Sequence, residues 1–284
     1  MRNKDKLQRH ILTEQELKQL QSIELELLIE FNRICRKYNI IYSIDGGTLL
    51  GAVRHGGFIP WDDDADVIMV RSEYEKFRSV VKKELRQNKY YFQDMDTTPG
   101  YRWGYGKLRR KDSSFVRLYQ EHMPYEQGVF LDIFVCDNVP DNYCARTICN
   151  FISFMYRKFF WSEIGRVSER GIKRFVLWLM AKVPEKILKS SYNRYIRHRN
   201  RKDSNWVKCL TFPACNKAYG YKREWYVDTE DIVFENVVLK SSKNKEEYLH
   251  FLYGDYMTLP SPEKRKVHPV SKIEFPVNGG TEFE

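Results

Sequence analysis

Apolar positions along the chain switch period several times. Leu17, Leu20, Ile23, Leu27, Phe31 and Ile34 recur three and four apart, which predicts a helix over Glu14–Tyr38. Thr13 with Glu16 forms a capping box at its start. Asn39 ends it, and Ile40–Ile44 reads as a short strand. A glycine-punctuated stretch from Gly46 to Gly57 follows, read as a turn and loop, then an acidic cluster, then a strand at Val67–Val70. Ser72 with Glu75 predicts a second capped helix to about Gln87. Tyr90–Gln93, Arg102–Arg109, Phe115–Leu118 and Val129–Val135 are strand candidates.

A mostly helical stretch comes next, with breaks expected at Gly165 and Pro184. Leu210–Phe234 is mixed and loop-rich, Asn244–Tyr253 a short helix, and the end from Pro260 irregular. This order predicts an α+β fold. Three parts are expected: a catalytic core over 1–150, a basic amphipathic helical segment over 151–205, and a part over 206–284 that packs on the core and completes the site.

Composition adds a charge question. The chain has 284 residues, 42% of them hydrophobic and 15% aromatic, so a sizeable core is expected and wholesale disorder is excluded. Its formal charge of +10 invites a nucleic-acid reading. The excess is local, however. Residues 151–202 hold 14 Lys and Arg against 3 Glu, and the rest of the chain is nearly neutral. Such a segment suits an RNA groove or a helical lobe lying on an anionic membrane. Interleaved Phe159, Phe160, Trp161, Phe175, Trp178 and Leu179 favour the membrane.

Six cysteines form no CxxC pair, and residues 1–13 are polar, with no secretory signal. Reduced thiols in a cytoplasmic protein are expected. A zinc site from Cys136, Cys144 and Cys149 is the alternative. No apolar run reaches the roughly 20 residues of a membrane span.

The chemistry concentrates in Trp61-Asp62-Asp63-Asp64-Ala65-Asp66-Val67. On a strand, Asp62, Asp64 and Asp66 share one face while Ala65, Val67 and Met69 enter a core. Carboxylates two apart on a strand lie roughly 6–7 Å apart, close enough for two to bind one metal. A solvated acidic turn or a Ca²⁺ loop would share this pattern. Gly46-Gly47-Thr48, just after a strand, offers backbone N–H groups and a hydroxyl to a phosphate. An ordinary glycine turn is the bland reading. Asp132 interrupts the apolar strand Val129–Val135 and needs a metal or a salt bridge.

The string from Gly46-Gly47-Thr48-Leu49-Leu50-Gly51 through Phe58-Ile59-Pro60-Trp61 to Asp64 resembles the LicD family, which includes bacterial phosphorylcholine transferases and, more distantly, fukutin-type ribitol-phosphate transferases. The resemblance continues at Lys107-Leu108-Arg109, Leu131-Asp132-Ile133-Phe134, Tyr253-Gly254-Asp255-Tyr256-Met257 and His268. It implies a nucleotidyltransferase-like mixed or antiparallel sheet flanked by helices, with the basic helical lobe inserted or appended. It also implies transfer of an alcohol phosphate from a CDP-activated donor, CDP-choline above all, to a hydroxyl of a surface glycan or its lipid-linked precursor. CMP leaves.

On that pattern Asp64 and Asp66 bind Mg²⁺ or Mn²⁺ with Asp62 contributing, and Asp132 is third ligand or general base. Gly46, Gly47 and Thr48 hold phosphate. Lys107 and Arg109, sharing a strand face, offset its charge; two solvated cations are the alternative. Arg54 and His55, in the loop before the carboxylates, reach the diphosphate, or His55 is structural. A choline ammonium is held by aromatic faces, and Tyr101, Trp103 and Tyr105 are the cage candidates, with core packing favoured slightly. His268 packs. The rivals are a template-independent nucleotidyltransferase acting on RNA or a small molecule, a DxD glycosyltransferase, and a membrane-surface protein with an inert acidic site. No RNA-binding motif is evident, so no nucleic-acid partner is expected.

Overall fold

The computed structural model describes residues 9–213, 216–265 and 267–276. Cys215, the first eight residues of the polar N-terminal stretch and the end of the C-terminal part lie outside them.

The first half runs α1 (Glu14–Lys37), β1 (Ser43–Ile44), α2 (Gly46–His55), β2 (Ala65–Val70), α3 (Arg71–Glu84), β3 (Tyr90–Gln93), β4 (Gly106–Arg110), β5 (Ser114–Arg117) and β6 (Phe130–Val139). The second runs α4 (Tyr143–Ser168), α5 (Gly171–Ala181), α6 (Glu185–Arg199), β7 (Trp206–Lys208), β8 (Tyr221–Lys222), α7 (Glu224–Val227), β9 (Thr229–Phe234), β10 (Val237–Ser242), α8 (Lys245–Tyr253) and β11 (Val270–Glu274). The fold is α+β. The main sheet has the order β1-β2-β6-β4-β3, and β7 extends it from the far end of β6 to β8. β2 and β6 are parallel and the other pairs antiparallel, so the sheet is mixed.

α1 forms as its spacing predicts, with the Thr13–Glu16 capping box in place. Its apolar stripe buries Leu20, Leu27, Phe31 and Ile34 in a core shared with Val67 and Met69 of β2 and Leu131 and Ile133 of β6. β6 is buried along its whole length, as expected of a central strand covered on both faces. Val139 at its far end joins Cys149, Phe160, Leu188, Tyr192 and Ile196 in a second, smaller core under α4 and α6.

Several expectations fail locally. The Gly46–Gly57 stretch is the helix α2 and not a turn and loop, so Arg54 and His55 stand on its last turn. Helical hydrogen bonding is compatible with its glycines, and Gly56 closes it in the left-handed region at φ 74°. Only Ser43–Ile44 of Ile40–Ile44 is strand. Ser72 caps nothing: Val70 is the N-cap of α3, because β2 runs straight into the helix. β4 begins at Gly106, leaving Tyr101, Trp103 and Tyr105 off the strand. α4 continues through Gly165 to Ser168, because a close neighbour takes the space a side chain would fill. A Cβ at Gly165 would stand 2.6 Å from Leu177 Cδ1 of α5. The tail from Pro260 is not wholly irregular, since β11 pairs with β5. No disulfide is present among the described cysteines, and Cys136, Cys144 and Cys149 do not converge as ligands.

Candidate active site

Backbone pairing builds the centre of the site. In the parallel ladder Asp66 of β2 stands opposite Asp132 of β6, and in the antiparallel ladder Asp132 stands opposite Lys107 of β4. Directly paired residues share a sheet face about 4.8 Å apart, so the three side chains form one row. Lys107 donates to Asp132 Oδ1. Both are almost fully buried, so the reading of Lys107 and Arg109 as solvated cations fails.

Of the acidic cluster only Asp66 lies within a strand; Asp62, Asp63 and Asp64 form the lead-in to β2. Asp62 and Asp66 face the start of α2. A Cβ on Gly47 would meet Asp62 Oδ2 at 2.4 Å, and one on Gly46 would lie 3.4 Å from Asp66 Oδ2 and 3.9 Å from the Tyr253 hydroxyl. Glycine there is the condition for bringing carboxylates against a helix N-terminus. Thr48 is buried, and its Oγ1 accepts the Asp66 N–H at 2.8 Å, tying α2 to β2. Asp64 accepts from Arg117 Nη2 at 3.1 Å.

Burial, aggravated by neighbouring carboxylates, raises the pKa of Asp62 to about 8 and pushes up those of Asp64 and Asp66. Burial brings Lys107 down to about 7, against the opposing pull of Asp132. Two buried atoms here have no hydrogen-bond partner among the described residues: Asp66 Oδ1, an acceptor, and Arg117 Nε, a donor. Such atoms are costly unless something fills them. The carboxylate set asks for a hard cation of the Mg²⁺ type; the guanidinium asks for an anion. The residues therefore fit a divalent ion together with a phosphate.

Beside this row lies a cavity of about 420 Å³. Lys107, Arg109 and Arg117 give it a cationic wall, and Trp103, Tyr105, Phe130, Trp161 and Phe212 an aromatic one. Lys107 Nζ sits 3.3 Å above the Phe130 ring centre. Arg109 is anchored to Gln93 Oε1 at 2.7 Å and to the Gly128 carbonyl at 2.6 Å. Trp103 and Tyr105 thus reach the cavity. Tyr101 does not: it is fully buried and packs edge-on against Tyr125.

Arg54 and His55 stand on the last turn of α2. Arg54 donates to the Tyr256 carbonyl at 2.7 Å, holding the Tyr253–Met257 segment, and His55 meets the Trp61 ring edge-on.

Several residues here escaped the sequence reading. Asp63 is buried and accepts both the backbone N–H and Nδ1 of His268, at 2.9 and 3.0 Å. His268 Nδ1 also lies 3.4 Å from Asp64, so Asp63, Asp64 and His268, and not the expected set of Asp62, Asp64, Asp66 and Asp132, are the group among the described residues whose ligand atoms converge, and His268 does more than pack. Both Asp63 oxygens are engaged by His268, which makes the pair a clasp holding the β11 segment to the acidic lead-in. Strand alternation contained the signal: if Asp64 and Asp66 face the site, Asp63 faces the interior and needs a partner. Glu24 follows the same logic. It falls on the apolar face of α1, between Leu20 and Leu27, and is buried beneath the cluster. Burial, with the four aspartates adding to it, pushes its carboxyl pKa well above the usual range. Asp45 is raised to about 6 by burial and accepts from Tyr248. Arg117, Trp161 and Phe212 come from distant segments with no local signal.

A family model described as "LicD/FKTN/FKRP, nucleotidyltransferase domain" matches residues 39–164. The lipopolysaccharide cholinephosphotransferase LicD of Haemophilus influenzae is 27% identical over 272 residues, covering 90% of this chain and 97% of its own. An uncharacterized protein of Rickettsia prowazekii is 25% identical over 118 residues, 42% of this chain and 40% of its own. One from Rickettsia typhi is 36% identical over 72 residues, 23% of each chain.

Proposed function

The chain is a phosphotransferase of the LicD family, and from that premise we propose that it moves an alcohol phosphate, phosphocholine first, from a CDP-activated donor to a glycan hydroxyl, releasing CMP. The acceptor is a cell-surface glycan such as lipopolysaccharide, or its lipid-linked precursor, and the reaction runs in the cytoplasm. On this reading residues 1–150 are the nucleotidyltransferase-like core and 151–205 the basic helical segment. Residues 206–284 complete the site through Phe212 and His268.

One observation carries the proposal. The row that begins at Asp66, with its orphaned carboxylate oxygen, ends at Lys107, and Lys107 lines a cavity with an aromatic wall together with Arg117 and its orphaned guanidinium nitrogen. A cation, a phosphate and a quaternary ammonium are the three charges such a site accommodates.

Asp62, Asp64, Asp66 and Asp132 would hold Mg²⁺ or Mn²⁺, which supplies neutralisation of charge on the phosphoryl oxygens. Arg117 and Lys107 bind the donor phosphates, and Arg109 adds positive potential from the cavity wall. Gly46 and Gly47 serve the phosphate indirectly, by letting Asp62 and Asp66 close on the α2 N-terminus, where Thr48 fixes the position of Asp66. Trp103 and Tyr105, with Trp161 and Phe212, present ring faces to the choline. Asp132 takes the proton of the acceptor hydroxyl as its oxygen attacks phosphorus. Positioning and charge balance do most of the work in phosphoryl transfer. Arg54 acts through the Tyr253–Met257 segment that it holds, and His55 through Trp61.

The test is CMP release from CDP-choline, CDP-ribitol and CDP-glycerol with Mg²⁺ and lipid-linked or lipopolysaccharide acceptors. CDP-choline is expected to turn over and EDTA to stop it. No release from any donor with any acceptor overturns the proposal.

A further inference from the structure

The helices after β6 leave an apolar face uncovered. Ile172, Phe175, Val176, Trp178 and Leu179 of α5 are 84, 59, 46, 43 and 48% exposed. Leu177 is its one buried residue, seated against α4 where Gly165 leaves room. A helix apolar on most of its sides is ordinarily covered. Large apolar side chains exposed together mark a contact surface, unlike scattered single ones.

Charge selects what covers it. From Arg166 to Lys189 there are seven Lys and Arg against two Glu. A second copy of the chain would bring two such basic faces together, which like charges oppose. Among the described residues no helix is long and apolar enough to cross a membrane. The 11 residues of α5 span about 16 Å, half a hydrocarbon core, so the helix fits lying in the interface. Its rings suit that depth: Phe175 and Trp178 stack with centres 6.1 Å apart, and Lys182 reaches over Trp178 at 5.0 Å. Between the end of α4 and α5 lies a cleft of about 440 Å³ lined by Arg166, Arg174, Phe175 and Trp178. Two guanidinium groups beside two rings match a lipid phosphate and the chain below it.

We propose that the α4–α5 pair docks the protein on an anionic lipid bilayer. The docking has a consequence for the site, because α4 also carries Trp161, Ile164 and Ser168 on the cavity wall. One helix joins the cavity to the bilayer contact, so the reaction centre is held beside a lipid-linked acceptor. That last step rests on the transferase reading; the docking does not.

The test is flotation of the full chain with vesicles of phosphatidylcholine alone and with phosphatidylglycerol added, whose negative surface attracts basic segments. Binding to the anionic vesicles and weak binding to the neutral ones is expected. F175E/W178E and K173E/R174E should each weaken binding about tenfold or more. These side chains are exposed, so circular dichroism should show unchanged melting, and CMP release with a soluble acceptor should persist. Failure of the unaltered chain to float, or unchanged binding by both variants, overturns the proposal. So does sedimentation equilibrium showing a dimer that F175E/W178E splits. Loss of CMP release in the unaltered chain would instead count against the transferase reading.

Discussion

Replacing Asp66 with Asn should make the metal-free protein more stable while removing its activity. Burial raises the Asp66 pKa, and the charges on Asp64, Asp132, Asp45 and Asp62 add to the effect. A carboxyl whose pKa is higher in the folded chain than in the unfolded one destabilises the fold at every pH where the unfolded chain ionises it. Asparagine keeps the shape and carries no such cost. Some of the strain persists through Asp62 and Asp64, so a gain of about 1–3 kcal/mol is expected at pH 7. For a chain of this size that raises Tm by roughly 2–8 °C.

The sign can be checked against pH. Folded-state pKa values above the unfolded ones make stability fall as pH rises from about 4 towards the value of about 8 reached by Asp62. In EDTA the advantage of D66N should therefore shrink as pH is lowered to 5. Mg²⁺ should raise the Tm of the unaltered chain, and more at higher pH, by favouring ionised carboxylates; it should barely move the variant. Phosphocholine transfer should drop by at least about 100-fold. Differential scanning calorimetry with and without metal, beside the CMP assay, measures all of this. A variant less stable than the parent in EDTA, or one transferring at the parental rate, would refute the reasoning.

Three further outcomes follow from the geometry. Lys107→Met leaves Asp132 buried without its ion-pair partner and should cost about 3–5 kcal/mol in urea melts, whereas K107M/D132L should recover much of that stability without activity. His268→Ala removes one of the two bonds to Asp63, for about 1–2 kcal/mol, and amide exchange should quicken first in β11 and β5. Trp103→Ala should raise KM for CDP-choline about 3- to 30-fold while changing KM for CDP-glycerol far less, because only choline presents a cation to the ring. Equal effects on both donors would reassign Trp103 to packing.

The elements that follow from local periodicity were legible in the sequence, as α1 shows. The edges were less so, because hydrogen bonding to neighbours set them. Gly46–Gly57 reads as a loop by composition, yet Gly46–His55 is a helix, its start tied to β2 by the Asp45 N–H bond to the Asp66 carbonyl and by Leu49 and Leu50 in the core. Gly165 reads as a break, yet it serves the close approach of α5. The row of Asp66, Asp132 and Lys107 could be anticipated as residues of one site. Its geometry could not, since pairing register across distant strands has no local signature. Arg117 and His268 reach the acidic lead-in from far along the chain, and nothing near them in sequence announces that. Asp63 precedes Ala65, Val67 and Met69 on the inward side of the same alternation, so its need for a buried partner was legible, though the identity of His268 was not.

The site's charges are indexed to backbone ladders rather than to side-chain packing. Substitutions in the core can therefore accumulate while Asp66, Asp132 and Lys107 stay in file. Insertions obey a harsher rule. One extra residue inside β2, β4 or β6 turns every later side chain of that strand to the opposite face, carrying a carboxylate or the ammonium into the hydrophobic layer. The same insertion in the link between α5 and α6 moves nothing in the row. Length variation in such an enzyme is thus confined to its helical connections, and its three central strands are intolerant of a change of even one residue.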